Sequence, residues 1–295
     1  MTQFTYYNFL PSICDYCLDF PKINYINMGI TPKHNYKNWN PIDVRKNNII
    51  FVKNDMISHF FENIYPKINN SFFLVNGVGG FDIDKKYEKY LEDDKIIKWY
   101  GTNLLFSHEK LFKLPIGFEE PERCVGGSAS HNGLHEGGDQ NILFKLYRNR
   151  TIFDNKINKL FISYMGKTHK SRNEIDNILN YDFMVKGEKM RFEKYLEEIN
   201  KYKFVLCPRG CGTDTHRFWE TLLVGSVPII ENNGLSDLYD KFPCIKVNSF
   251  SEITYDLLNS FKIDNLKFQK VDNYLILDNL NNLIIKDIDL NKRGE

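Results

Sequence analysis

Residues 203–232 read KFVLCPRGCGTDTHRFWETLLVGSVPIIEN, and their residue types spell strand, glycine turn, capped helix, glycine stop and second strand. The apolar runs Lys203–Cys207 and Val227–Ile230 suit strands of a parallel sheet covered on both faces. Pro208, Gly210 and Gly212 break the first strand and let the backbone come close to a ligand. Thr213, Asp214 and Thr215 are all residue types that cap a helix, and Phe218, Trp219, Leu222 and Leu223 give that helix an apolar face. Gly225 stops it. A helix N-terminus fed by a glycine turn offers free N–H groups and a positive dipole end, which suit an anion such as phosphate, and Arg209, His216 and Arg217 crowd the same mouth.

Working outward, the same rhythm recurs on both sides. Upstream, KLFISYM at Lys159–Met165 reads as a strand. A polar turn follows from Gly166 to Lys170, then a capping box at Ser171-x-x-Glu174 that opens a helix to Leu179. Phe183–Val185 is the next strand and Glu188–Tyr202 the next helix. Downstream come a strand at Cys244–Val247, a helix at Ser251–Phe261 and an Asn- and Leu-rich tail of one or two helices. In the first half, Ile49–Val52, Ser71–Val75 and Ile96–Tyr100 read as strands, with helices at Asp55–Tyr65 (capped by Asp55) and Asp84–Leu91, and Leu111–Gly117 as a short strand entering a loop. Short apolar strands alternating with amphipathic helices predict an α/β protein with parallel sheets. With 295 residues, the chain is expected to form an N-terminal domain (1–150), a C-terminal domain (151–262) and a helical tail (263–295) packing back across them.

Composition bounds the function. Hydrophobic residues at 42%, charged residues at 26% and aromatics at 15% describe a well-packed globular chain, and a net charge of +1 gives no general field for nucleic acid or an anionic membrane. Any basic site is therefore local. Met1–Leu10 lacks the features of a signal peptide, and no apolar run approaches the ~20 residues that span a bilayer, so the expectation is a soluble, cytoplasmic protein. The six cysteines are too scattered for a disulfide framework and read as reduced thiols. Cys14-x-x-Cys17 lacks a second ligand pair for zinc. The glycine-rich stretch 119–138 reads as a surface loop or as a mobile segment over a cleft; Gly133 between His131 and His135 argues against a helical metal pair.

In a parallel sheet the strand C-termini share one edge, which gathers Lys167, Arg172, Arg209, Arg217 and Glu231 around one crevice. Several cations and a free helix N-terminus imply a diphosphate. Glu220, three positions after Arg217, is placed to accept two ribose hydroxyls; the same spacing fits an ordinary helix-face ion pair, and spacing alone does not choose. The chain has no Walker motif, no Gly-x-Gly-x-x-Gly after its first strand and no Asp-x-Asp in a metal-diphosphate setting. Asp82-x-Asp84 does occur, but Asp84 reads as a helix cap.

Cys207-Pro208-Arg209-Gly210, Gly212, Asp214-Thr215-His216-Arg217, Trp219-Glu220, Gly225 and Pro228-Ile229-Ile230 together resemble the signature of exostosin-like glycosyltransferases, in particular short, soluble, virus-encoded members. Weaker agreement extends to Trp99, Asn103, Leu114-Pro115-Ile116-Gly117, Lys167, His169 and Arg172. The resemblance implies a GT-B arrangement of two Rossmann-like domains facing a central cleft, with no metal or other cofactor. It also implies that Arg209, Arg217 and Arg172 lie near the diphosphate and that Glu220 holds the ribose. Lys167, Gly210, Gly212, Thr213, Asp214, Thr215 and His216 complete the expected nucleotide-sugar site. For the general base, the resemblance points to an acidic residue after an early strand, here Asp82; His108, Glu119 and Glu120 are alternatives, and Asp82 also fits a structural role.

The expected activity is inverting transfer of a sugar from a nucleotide diphosphate sugar, UDP favoured, to a glycan or glycoprotein hydroxyl, without nucleic acid or membrane insertion. A GDP-fucose-dependent transferase and a noncatalytic nucleotide- or glycan-binding protein are the rival readings.

Overall fold

The computed structural model describes residues 3–5, 7–18, 34–35, 39–119, 138–172, 175 and 181–293. Glu120, Cys124, His131, His135 and the Glu174 end of the capping box lie outside them. Two compact units emerge, Tyr7–Ile116 with Asn281–Glu295, and Met1–Tyr6 with Gly117–Leu280. The division therefore falls at Gly117, where the sequence reading put 150, and the tail is shared between the units. Apolar periodicity shows that the tail is helical; it does not show which sheet each helix covers.

The first unit holds a parallel sheet made of β1 (Tyr16–Leu18), β2 (His34–Asn35), β3 (Asn48–Lys53), β4 (Phe72–Gly77), β5 (Ile96–Gly101) and β6 (Leu111–Lys113), in the order β2-β1-β3-β4-β5-β6. Every residue of β4 is buried, as a continuous apolar strand in a doubly covered sheet must be. The predicted helix at Asp55–Tyr65 is instead a run of short turns: tight at Asn54–Met56, α at Ile57–His59, wide at Phe60–Ile64 and tight again at Tyr65–Lys67. The adjacent rings of Phe60 and Phe61 in the wide turn are both buried in the core. Asp55 does not cap this segment; it pairs with Lys53 at 3.4 Å. Asp84 does cap, accepting from the Lys86 N–H at 3.2 Å, and the helix it opens is a tight one over Lys85–Tyr90.

A second buried layer in this unit is polar. Trp99 Nε1 donates to Asn76 Oδ1 at 2.6 Å, and Asn76 Nδ2 donates to Asn54 Oδ1 at 2.7 Å. Asn54 in turn reaches the carbonyls of Gly79 and Phe81 at 3.3 and 3.1 Å. This chain pins the loop after β4, where Val78 holds a left-handed φ of 55° that a β-branched residue rarely adopts. Asp82 sits half-buried on this loop.

The second unit holds β7 (Ile157–Ile162), β8 (Met184–Lys186), β9 (Tyr202–Leu206), β10 (Val227–Glu231) and β11 (Ile245–Val247), all parallel, in the order β11-β10-β9-β7-β8. Its main helices are α1 (Gln140–Arg148), α2 (Phe192–Ile199), α3 (His216–Leu223) and α4 (Asn265–Leu275). Asp139 caps α1, its carboxylate accepting from the N–H groups of Asn141 and Ile142. The final helix, α5 (Leu277–Arg293), continues into the first unit, where Asp287 accepts from Tyr100 at 2.6 Å and pairs with Lys98 at 2.8 Å.

Lys156 closes two helices at once. Its ammonium donates to Asn200 O at 2.6 Å, just past α2, and to Val224 O at 2.9 Å, at the end of α3. Gly225 follows with φ of 75°, the left-handed C-terminal position that favours glycine.

Candidate functional site

Strand order picks the place. The chain leaves β7 to one side for β8 and to the other for β9, so the direction of winding reverses between β7 and β9. Outside the C-terminal ends of those strands an open α/β sheet leaves a crevice, because the loops there turn away from each other. The loops after Ile162 and Leu206 carry Lys167, Arg172, Arg209, Gly210 and Gly212, and α3 follows.

Arg172 is the brace of this crevice. Its guanidinium donates to Arg209 O at 2.7 Å, Pro208 O at 3.2 Å and Gly166 O at 3.4 Å, tying the two loops together. Burial, and then the nearby Arg217, lower its pKa to about 10. Gly210 lies under it: a Cβ there would stand 3.0 Å from Arg172 Nη2, so the guanidinium would have to give by a few tenths of an ångström. Lys167 is exposed.

On α3, Arg217 donates from Nη2 to Tyr164 O at 3.1 Å, while its buried Nε and Nη1 have no hydrogen-bond partner. Glu220 is 8% exposed, no ion pair to its carboxylate forms among the described residues, and His216, Arg217 and the Tyr195 hydroxyl surround it. The helix-face ion pair with Arg217 is therefore absent. Burial pushes the Glu220 carboxyl up, and the charges of His216 and Arg217 only partly offset that. The buried Tyr195 hydroxyl of α2 stands between Glu220 and Arg217 with no strong hydrogen bond of its own, and burial raises its pKa. His216 is held at Nδ1 by Gly117 O, 2.8 Å away, and its Nε2 faces Glu119 at 3.8 Å. A guanidinium and a phenol with unpaired buried polar atoms, beside a buried carboxylate, make this a candidate polar ligand site.

Asp214, expected in the nucleotide-sugar site, has a structural role in the fold: its carboxylate accepts from Trp219 Nε1 at 3.0 and 3.1 Å, from Tyr239 OH at 3.0 Å and from the Thr215 N–H at 2.9 Å. It sets the entry angle of α3. The N-cap position itself belongs to Thr215, whose side chain makes no capping bond.

On the other side of α3 is a cavity of about 150 Å³ at the ends of β9 and β10. Arg209, Thr213, Thr215, Glu231, Asn232 and Tyr239 form its polar wall, and Cys207, Phe218 and Ile230 its floor. Burial holds the Cys207 thiol protonated, up to about 12. Tyr195 and Tyr239 escaped the sequence reading because each looks like a core aromatic at helical spacing. Only the contacts with α3 reveal them. Asp82 lies in the other unit, on the loop described above. Among the described residues no group of three or more His, Cys, Asp or Glu gathers as a metal site, every cysteine is free, and no helix is long and apolar enough to cross a membrane.

Comparison with known proteins adds three findings. The family model described as the RXYLT1 C-terminal domain matches residues 148–264, which contain the whole second sheet. The N-terminal domain of Candida albicans trehalose-6-phosphate phosphatase is similar at 12% identity over 84% of this chain and 71% of that one, with a TM-score of 0.39. The UDP-forming α,α-trehalose-phosphate synthase of Burkholderia vietnamiensis is similar at 8% identity over 85% and 72%, with a TM-score of 0.37. Those two scores are too low to support a conclusion. No curated protein matches by sequence. The family-model match supports a glycosyltransferase.

Proposed function

We propose that the protein is an inverting glycosyltransferase of the GT-B plan that moves a sugar from a nucleotide diphosphate sugar, UDP favoured, to a hydroxyl of a glycan. The observation that carries this reading is the pair Glu220 and Arg217: a buried carboxylate beside a guanidinium whose Nε and Nη1 have no hydrogen-bond partner, at the switch point of a parallel sheet. A ribose diol satisfies such a carboxylate with two hydrogen bonds, and a diphosphate satisfies the arginine and the first N–H groups of α3.

In this reading Arg209, Arg217 and the α3 N-terminus hold the diphosphate, while Arg172 keeps the two loops in register. The acceptor oxygen attacks the anomeric carbon as the bond from that carbon to the phosphate oxygen breaks. The bonding pair leaves with the nucleoside diphosphate, whose growing charge the arginines stabilise without calling on a metal. The acceptor proton goes to a general base, for which Asp82 is our candidate.

Thermal denaturation with UDP, GDP and their sugar conjugates tests the proposal. A ligand at ~100 times its dissociation constant adds about 2.7 kcal/mol, so a clear rise in Tm with one nucleotide series is expected. No shift with either series sinks the reading.

A further inference from the structure

Residues 217 and 220 share one side of α3, with Tyr195 and the Tyr164 carbonyl. Thr215 and Phe218 share the other, where they line the cavity with Tyr239 and Glu231. At 100° per residue, Glu220 and Phe218 stand roughly 160° apart around the helix. The helix N-terminus lies between these two sides. A nucleotide diphosphate sugar is likewise three pieces in line: nucleoside, diphosphate, sugar.

Resting on the function proposed above, the geometry points to the cavity beside β10 as the pocket for the transferred sugar, with Glu231 and Thr215 as the residues that read its hydroxyls. If the ribose meets Glu220 and the diphosphate spans the N-terminus of α3, the remaining piece reaches the opposite side of the helix. Size agrees: about 150 Å³ is below the ~300 Å³ at which pockets take whole drug-sized ligands, and suits a single ring. So does chemistry. A sugar ring offers hydroxyls that both donate and accept, and the lining residues include both acceptors and donors: Glu231, Asn232, Arg209, Thr213 and Thr215.

Thr215 is the second observation. It is 9% exposed, sits at the N-cap of α3, lines the cavity, and its side chain makes no capping hydrogen bond. A cap-type hydroxyl that does not cap its helix and stands on a cavity wall is placed to serve whatever fills the cavity.

The test is titration calorimetry of the full chain and its Glu231→Gln and Thr215→Val variants with UDP, UDP-xylose and UDP-glucose, and with GDP and GDP-fucose. Both substitutions are nearly isosteric, and retained binding of the bare nucleotide reports an intact fold. For the sugar conjugate that the parent binds best, Glu231→Gln is expected to weaken binding about tenfold and leave the bare nucleotide within about twofold, the loss of one hydrogen bond to a charged group. Equal weakening of conjugate and nucleotide, or no weakening of either by both variants, overturns the assignment of the cavity while leaving nucleotide binding intact. A parent that binds no nucleotide at all overturns the proposed function, and this assignment with it.

Discussion

Trp219 Nε1 donates to both oxygens of the Asp214 carboxylate, at 3.0 and 3.1 Å, so a residue inside α3 grips the residue that introduces it. Tyr239 OH completes the grip from 25 residues further on. Replacing Asp214 by Ala leaves these buried donors unmet, at about 1–3 kcal/mol each. Urea unfolding of Asp214→Ala is expected to show a loss of at least about 3 kcal/mol. A loss under about 1 kcal/mol contradicts this role.

Glu220 is expected to behave oppositely. Its folded pKa lies above its unfolded one because burial disfavours the charge. The group therefore favours the fold fully below the ordinary glutamate range, and that contribution is lost as pH rises through the raised folded value. Glu220→Gln removes the penalty, so without ligand at pH 7 the variant should melt at or above the parent temperature. It should also bind nucleotide about tenfold or more weakly. A variant that melts lower while binding nucleotide normally marks Glu220 as structural.

Lys156 supplies a pH dependence of its own. Burial, with a smaller push from Arg150, lowers its pKa to about 7. Between that value and the unfolded lysine pKa of about 10.4 the unfolded chain binds the extra proton, so this group makes stability rise with pH across that window. Other groups titrate there too, and the difference between parent and Lys156→Met isolates the lysine. That difference should grow by about 2 kcal/mol from pH 7 to pH 9. A difference independent of pH means that the carbonyls of Asn200 and Val224 keep the ammonium charged.

For Asp82 the expectation is kinetic. Asp82→Asn should retain nucleotide affinity and melting temperature and lose turnover by at least about a hundredfold, the usual scale of a general base. Unchanged turnover removes Asp82 from the chemistry. If the parent turns over no donor with any acceptor, the noncatalytic reading of the chain prevails.

The strands were legible because each is a short apolar run, and the glycine turn before α3 because Pro208, Gly210 and Gly212 have few other uses. The Arg172–Arg209–Arg217 neighbourhood followed from strand order alone. Tertiary choices were not legible. Asp214 has the residue type of a cap, and only a tryptophan five residues on and a distant tyrosine turn it inward. Phe60 and Phe61 fit an amphipathic helix in sequence, and no local pattern marks the wide turn that they open. The cavity was invisible because its wall joins the end of β9, the end of β10 and Tyr239, which no local pattern links.

The way the chain is shared between its units bears on how each one closes. Phe4 pairs with Ile276 and Thr5 N–H bonds Leu275 O in one unit, while Asp287 ties α5 to Tyr100 and Lys98 in the other. Both closures join residues far apart in sequence, so neither unit completes its contacts from one contiguous stretch of chain, and the entropy of closing a long loop falls on both. Removal of α5 is expected to strip β5 of its Asp287 contacts and destabilise the N-terminal sheet.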